Sequence, residues 1–281
     1  MLERLGRRLL LVAVAAVCGC AQGGPAFQEY QAAFDAQYAQ GTRVFDRLGQ
    51  AELALGGGGA RDAGVTSFDP DLAGVYLGIG DPPLTGAIRG SLTSVRDYNT
   101  TLGAMVSGES ARQLSARMGA AAASAAGTAG ALGAAGGFGG GGVAAAAAAV
   151  AALLPIFRQL AAIEDRAEFR VQFLAAYPDV RALMLALRSG TPEMFEVIRA
   201  SYVVPGDFAG VDGVPRASLP RLEQDRRLLA GWVILLDQTI VAMDAAVAAA
   251  AQGGLGTDTA ALSAAAFDLR VLAEAVQAVR F

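Results

Sequence analysis

The chain has no lysine and no histidine, so all 22 of its basic residues are arginine. Without histidine it lacks the commonest general base, the commonest zinc ligand and the one side chain that ordinarily titrates near neutral pH. A serine nucleophile would have no imidazole partner, and serine–lysine chemistry is excluded along with lysine. The missing lysine itself reads as a coding bias towards arginine and alanine. Charge is scarce, at 17% of residues, with a net value of −4 and a pI near 5.0. Beyond the first few residues no stretch clusters arginine densely enough to follow a phosphate backbone, so nucleic acid is not an expected partner. Aromatic residues make up only 7% against 54% hydrophobic overall. Alanine supplies much of that total and buries little area, so the core must rest on scattered Leu, Val, Ile and Phe. At 281 residues the chain is long enough for a real core and one or two domains.

Both cysteines, Cys18 and Cys20, lie close to the N-terminus. Arg4, Arg7 and Arg8 form a basic start, and Leu9 to Val17 is an unbroken apolar run. A lasting transmembrane helix needs roughly 20 apolar residues, and this run is far shorter. Its length and flanks are those of a secretory signal. The four residues Val17-Cys18-Gly19-Cys20 resemble the lipobox of bacterial lipoproteins: an aliphatic residue, a small one, Gly or Ala, then the modified Cys. Cys18 stands at the second position, an unusual occupant.

The resemblance covers about the first 20 residues and implies that Cys20 becomes the first mature residue and carries the lipid. It also implies delivery to the outer membrane, because Ala21 stands where an Asp would favour inner-membrane retention. Arg7-Arg8 hints at a twin-arginine signal, but its surroundings fit the general secretory route better. Residues 1–19 are then a signal peptide, 20–25 a tether and 26–281 a single helical domain. Removing Arg4, Arg7, Arg8 and Glu3 takes away +2, so the mature part carries −6 against −4 for the whole chain. Cys20 would be its only cysteine, which leaves no intramolecular disulfide.

The mature part has helical periodicity throughout and no convincing strand. A helix is predicted over 26–55, with Phe27, Phe34, Tyr38, Gly41, Phe45 and Leu48 on one face and Gly56 to Gly59 as its stop. Residues 61–83 read as a loop, since Asp69-Pro70-Asp71 and Asp81-Pro82-Pro83 cannot sit inside a helix. A second helix is predicted over 85–106, with Ile88, Leu92, Val95, Leu102 and Val106 as its seam, ended by Ser107-Gly108. A short helix over 109–118 follows. Residues 118–157 hold no charge and are almost wholly Ala and Gly.

From Val143 a helix resumes, bent or restarted at Pro155 and continuing to Tyr177. Pro178 starts the next segment, which ends at Gly190. Thr191-Pro192-Glu193 opens another, with Thr191 as N-cap. After a loop over 207–217, Ser218 is a candidate cap for a long helix over 219–252. Leu222, Leu229, Val233, Leu236, Ile240, Met243 and Val247 form its stripe. A last helix starts at Thr257 or Thr259 and shows Leu262, Ala265, Leu269, Leu272, Val276 and Val279. The expected fold is an all-α bundle of five to seven helices with a central Ala/Gly-rich hairpin.

Few residues suggest chemistry. The glycines of the uncharged segment (Gly119, Gly127, Gly130, Gly133, Gly136, Gly137) loosely resemble the glycine zippers of envelope proteins and would permit close helix approach in a membrane. Ala and Gly give weak insertion energy, which favours a packed hairpin of small residues in a soluble bundle. Asn99, beside Tyr98, is a polar group on an apolar seam and reads as a register device before a ligand contact. Asp237 and Asp244 share a helix face, as do Glu164 and Glu168. A solvated face is the first reading of both pairs, and acid/base or metal work the second. Arg158, Arg166 and Arg170 interleave with the glutamates as a charged surface, and Glu223 with Arg227 is an ordinary i,i+4 pair. Asp69, Asp71 and Asp81 lack EF-hand spacing.

No catalytic residue, cofactor or metal is therefore expected, and Cys20 is the one residue with an assignable chemical role. The leading expectation is a non-enzymatic lipid-anchored binding or scaffolding protein of the cell envelope. It would face the periplasm and associate with another envelope protein, with itself or with the cell wall. The alternatives are a membrane-inserting or oligomerising protein and a carboxylate-based cell-wall hydrolase.

Overall fold

A computed structural model describes residues 24–62, 80–134, 141–204, 210–252 and 257–278. It is an all-α bundle, as the periodicity predicts. Helix α1 spans Gly24–Asp62. It buries Phe27, Tyr30, Phe34, Phe45, Leu48 and Gly41 along one stripe. It also runs on through Gly56 to Gly59, where a stop was expected. Glycine costs a helix about 1 kcal/mol of backbone entropy per residue, yet nothing about it sterically forbids the helical ladder.

Helix α2, Pro83–Val106, starts where Pro82 is extended. Its seam residues Ile88, Leu92, Val95 and Leu102 are buried. It ends in a Schellman motif, with Gly108 at φ 94°. Gly108 N donates to Met105 O and Glu109 N to Ala104 O. Ser110 and Gln113 exchange bonds as a capping box for α3, Ala111–Ala134. The expected short helix thus continues deep into the Ala/Gly segment. Alanine is the strongest helix former, and Leu114, Met118, Ala121 and Ala125 give this stretch a buried stripe.

Helix α4, Gly141–Ala161, passes Pro155 without a break. It then stops, although the sequence reading carried it on to Tyr177. The reason lies in Asp165, whose carboxylate accepts from Glu168 N at 2.8 Å and caps a separate helix α5, Arg166–Ala175. Helices α6, Tyr177–Ser189, and α7, Thr191–Ala200, follow with almost no intervening chain. Gly190 is the N-cap of α7, and the Thr191 hydroxyl donates backwards to Leu187 O instead of capping.

Between α7 and the next helix, Val211 and Val214 exchange backbone bonds across Asp212 (φ 50°) and Gly213 (φ 77°). That is a type I′ turn. Helix α8, Leu219–Ala251, follows a 3-10 turn over Arg216–Ser218, and Ser218 makes no side-chain cap bond. Helix α9, Thr257–Ala278, completes the described residues.

The six long helices form a curved row in which α4, α3, α2, α1, α9 and α8 are successive neighbours. The short run α5 to α7 lies at its mouth, and α6 touches α2, α4 and α8 and so closes the row. One hydrophobic cluster extends from Ala26 to Ala273. The Ala/Gly segment forms the expected hairpin. The Ser115 hydroxyl of α3 donates to Ile163 O just beyond α4, so the two helices run antiparallel. Small residues let neighbours approach: a Cβ on Gly90 would clash with the Thr128 hydroxyl of α3.

Candidate functional site

The lipidation candidate Cys20 lies outside the described residues, as do Asp69 and Asp71. Asp81 does not face an ion site. Arg89 donates to both of its oxygens, at 2.6 and 3.1 Å, and reaches Asp46 at 2.9 Å. Asp237 and Asp244 both turn towards α6. Asp237 meets Arg188 at 2.6 Å, while Asp244 accepts from the Tyr177 hydroxyl at 2.6 Å and lies 3.4 Å from Arg181. These carboxylates pin α8 to α6, and each already has a partner. Glu223 pairs with Arg227 as the spacing predicted, and with Arg226 as well.

Asn99 is buried on the α2 seam. Its Oδ1 has no hydrogen-bond partner, while its backbone oxygen accepts from Gln31 Nε2. Tyr30 OH, both amide atoms of Gln37, Gln40 Oε1 and Trp232 Nε1 are likewise buried without partners. They fall on inward faces of α1 and α8. Nearby, Tyr98 stacks on Phe173 at 4.3 Å and on Tyr177 at 6.4 Å. Burial pushes the phenol of Tyr98 far above its ordinary range. It does the same for Tyr177, with the hydrogen bond to Asp244 acting in the same direction. These hydroxyls stay protonated at any physiological pH and serve as donors. Among the described residues no three His, Cys, Asp or Glu come together in a metal-ligating group.

The expected charged surface around Glu164 and Glu168 turns out differently. Arg158 is exposed, but Arg166 donates to Met105 O at 3.2 Å, at the end of α2. Arg170 donates to Ala250 O and Ala251 O at 2.7 and 2.8 Å, at the end of α8. Each arginine adds a charged donor to carbonyls at a helix C-terminus, where a positive charge is favoured. The two line a cleft of about 510 Å³ with Met105, Val106, Asp165, Ala167 and Ala250. A second cleft, of about 630 Å³, opens beside it between Arg112 and Glu164. A third, of about 270 Å³, is lined by Gly24, Phe27, Ser107 and Arg117. These clefts gather at one end of the bundle, the end where α1 begins. Sequence spacing did not reveal them, because they depend on which helix ends meet.

Asp97 of α2 faces a small cleft with Thr100, Thr101 and Arg117. Burial pushes its carboxyl above the usual carboxylate range, with Arg96 alongside pulling the other way. A raised folded-state value means that the charged carboxylate destabilises the fold. The penalty builds as pH rises above the unfolded value of about 3.9 and persists at neutral pH. Asp97→Asn is therefore expected to raise Tm at pH 7 by a small amount, on the order of 1–2 °C, since partial exposure screens the effect. The gain should vanish in thermal melts at pH 3.

Among the described residues, two helices are long and apolar enough to cross a membrane by length and composition, over Ala144–Ala161 and Arg216–Ala251. Half of the second window is buried inside the bundle, but only 28% of the first. Comparison with protein-family models, with curated proteins and with solved structures finds no match for this chain. The class the molecule defines is thus an all-α helical bundle with a small-residue hairpin.

Proposed function

We propose that the chain is a cell-envelope lipoprotein, anchored through lipid on Cys20 and facing the periplasm from the outer membrane. Its helical bundle acts there by binding or scaffolding, not by catalysis. The observation that carries this reading is Val17-Cys18-Gly19-Cys20 after a basic start and a short apolar run. The bundle supports it in one respect. Gly24 is already helical, so a lipid on Cys20 would lie within four residues of folded structure. The engagement of Asp237 and Asp244 by Arg188 and Tyr177 argues against a carboxylate pair free for hydrolysis.

A second reading has a specific observation in its favour. The outward side of the hairpin carries Ala116, Ala120, Ala123, Gly127 and Gly130 on α3, and Ala144, Ala145, Ala148 and Ala152 on α4, all exposed. That face holds no charge and would suit insertion into a bilayer or association within one.

One experiment addresses both readings. Cys20→Ser is expected to abolish labelling by a palmitate analogue and to release the signal-processed protein from membranes in carbonate. Labelling that survives the substitution would overturn the lipobox reading. Retention of the unlipidated protein after the wash would favour the inserting hairpin.

A further inference from the structure

At the end of the bundle that carries Gly24 of α1, two arginines stand out in how they are used. Several arginines of the bundle meet carboxylates: Arg47 with Asp225, Arg89 with Asp46 and Asp81, Arg188 with Asp237, Arg199 with Glu196 and, at this same end, Arg117 with Glu109. At this end Arg166 and Arg170 contact only backbone carbonyls, and Arg112 and Arg158 are exposed without an ion pair among the described residues. A guanidinium has five donors in a rigid fork, and carbonyl contacts occupy only part of that set on Arg166 and Arg170. Between them lies the 510 Å³ cleft, whose other walls are apolar apart from Asp165, and the Asp165 carboxylate is already turned to Glu168 N. Two forked cations over an apolar wall match a phosphodiester with its acyl chains.

Chain length brings such a ligand within reach. From Cys20 to Gly24 the backbone can extend at most about 14 Å. Helix α8, by contrast, rises about 48 Å from Leu219 to Ala251. A lipid on Cys20 therefore holds this end against the headgroups and cannot bring the opposite end there without laying the bundle on its side.

The geometry points to a phospholipid-headgroup site in the cleft of Arg166 and Arg170, with the bundle standing on that end in the bilayer that holds the Cys20 lipid. Acidic groups share the end: Glu109 is tied to Arg117, while Glu164 and Glu168 project outward. The surface is thus close to neutral, against −6 for the mature chain. An anionic membrane repels it less than that net charge would suggest, and its selectivity comes from the guanidinium forks rather than from net charge. This inference rests on the lipoprotein reading.

The test uses the mature lipidated protein, which offers no other cysteine, in vesicles of phosphatidylethanolamine and phosphatidylglycerol. A fluorophore is placed on Ala162→Cys at this end or on Arg221→Cys at the other, and a headgroup nitroxide lipid is the quencher. Quenching is expected to be severalfold stronger at position 162. Arg166→Gln should reduce it, and Arg166→Lys, which keeps the charge but not the fork, should fall between. If Arg166→Gln loses the helical circular dichroism of the parent, Arg166→Lys carries the comparison. Acylated protein quenched equally at both positions, or unaffected by loss of the Arg166 fork, overturns the headgroup site and leaves the anchor standing. Absence of acyl on Cys20 by mass spectrometry overturns both. Release of the end by inorganic phosphate at constant ionic strength, to the same degree as Arg166→Gln, would assign the cleft to free phosphate and overturn the headgroup site.

Discussion

Glu52→Ala is expected to lower the unfolding free energy by about 2–4 kcal/mol, the effect of leaving several buried donors unpaired. Glu52 sits on α1, but its carboxylate serves α2. One oxygen accepts from Leu84 N at 2.9 Å, and the other accepts from Thr85 N at 3.0 Å and the Thr85 hydroxyl at 2.9 Å. Those amides belong to the first turn of α2, which has Pro82 at its N-cap and no local side-chain cap. A helix start without a cap normally turns to water, but this one is covered, and Glu52 is only 4% exposed. A negative charge at that point also complements the helix dipole. The substitution should shift the urea midpoint downwards with an unchanged m-value. Glu52→Gln, which keeps one acceptor and loses the charge, should fall between. A midpoint within error of the parent would mean that solvent reaches the α2 N-terminus in place of the carboxylate.

Glu52 also shows where sequence reasoning stops. Read along α1, it is one polar residue near the end of an amphipathic helix, and nothing in its neighbours announces a buried cap for a helix more than 30 residues away. The stripes were legible because helical periodicity is local: Phe27, Phe34, Phe45 and Leu48, then Ile88, Leu92, Val95 and Leu102, are buried as their spacing required. Ser107-Gly108 ended α2 because left-handed φ at a helix end favours glycine. Gly56 to Gly59 misled, since glycine weakens a helix without terminating it. Pro155 misled in the same way as those glycines, and Asp165 in the other direction. The proline is carried within α4, and the true boundary is set by an aspartate reaching three residues forward.

The candidate site divides in the same way. Cys20 was legible because a signal and lipobox are contiguous in sequence. The cleft of Arg166 and Arg170 was not, because it forms only where the ends of α2, α5 and α8 meet. Spacing alone assigned those two arginines to a solvated face, whereas each closes off the carbonyls of another helix.

A close contact between α1 and α8 gives the other large effect. Trp232 of α8 is 1% exposed and meets Phe45 of α1 edge-on at 5.5 Å. Trp232→Ala is expected to cost about 3–5 kcal/mol, the range for removing a buried aromatic. Trp232→Phe should cost much less, because Nε1 has no hydrogen-bond partner and only packing is lost. The indole fits because residue 41 has no side chain: a Cβ there would lie 2.7 Å from Trp232 Cζ3 and 3.0 Å from Leu92 Cδ2. Gly41→Ala alone should therefore destabilise by about 1–3 kcal/mol through overpacking. Combined with Trp232→Ala, the same change should turn stabilising by about 1 kcal/mol, since alanine outdoes glycine inside a helix once the space is free. A double-mutant cycle by urea unfolding reads that reversal of sign. Additive effects of the two substitutions would mean that α1 and α8 do not close on each other at Gly41.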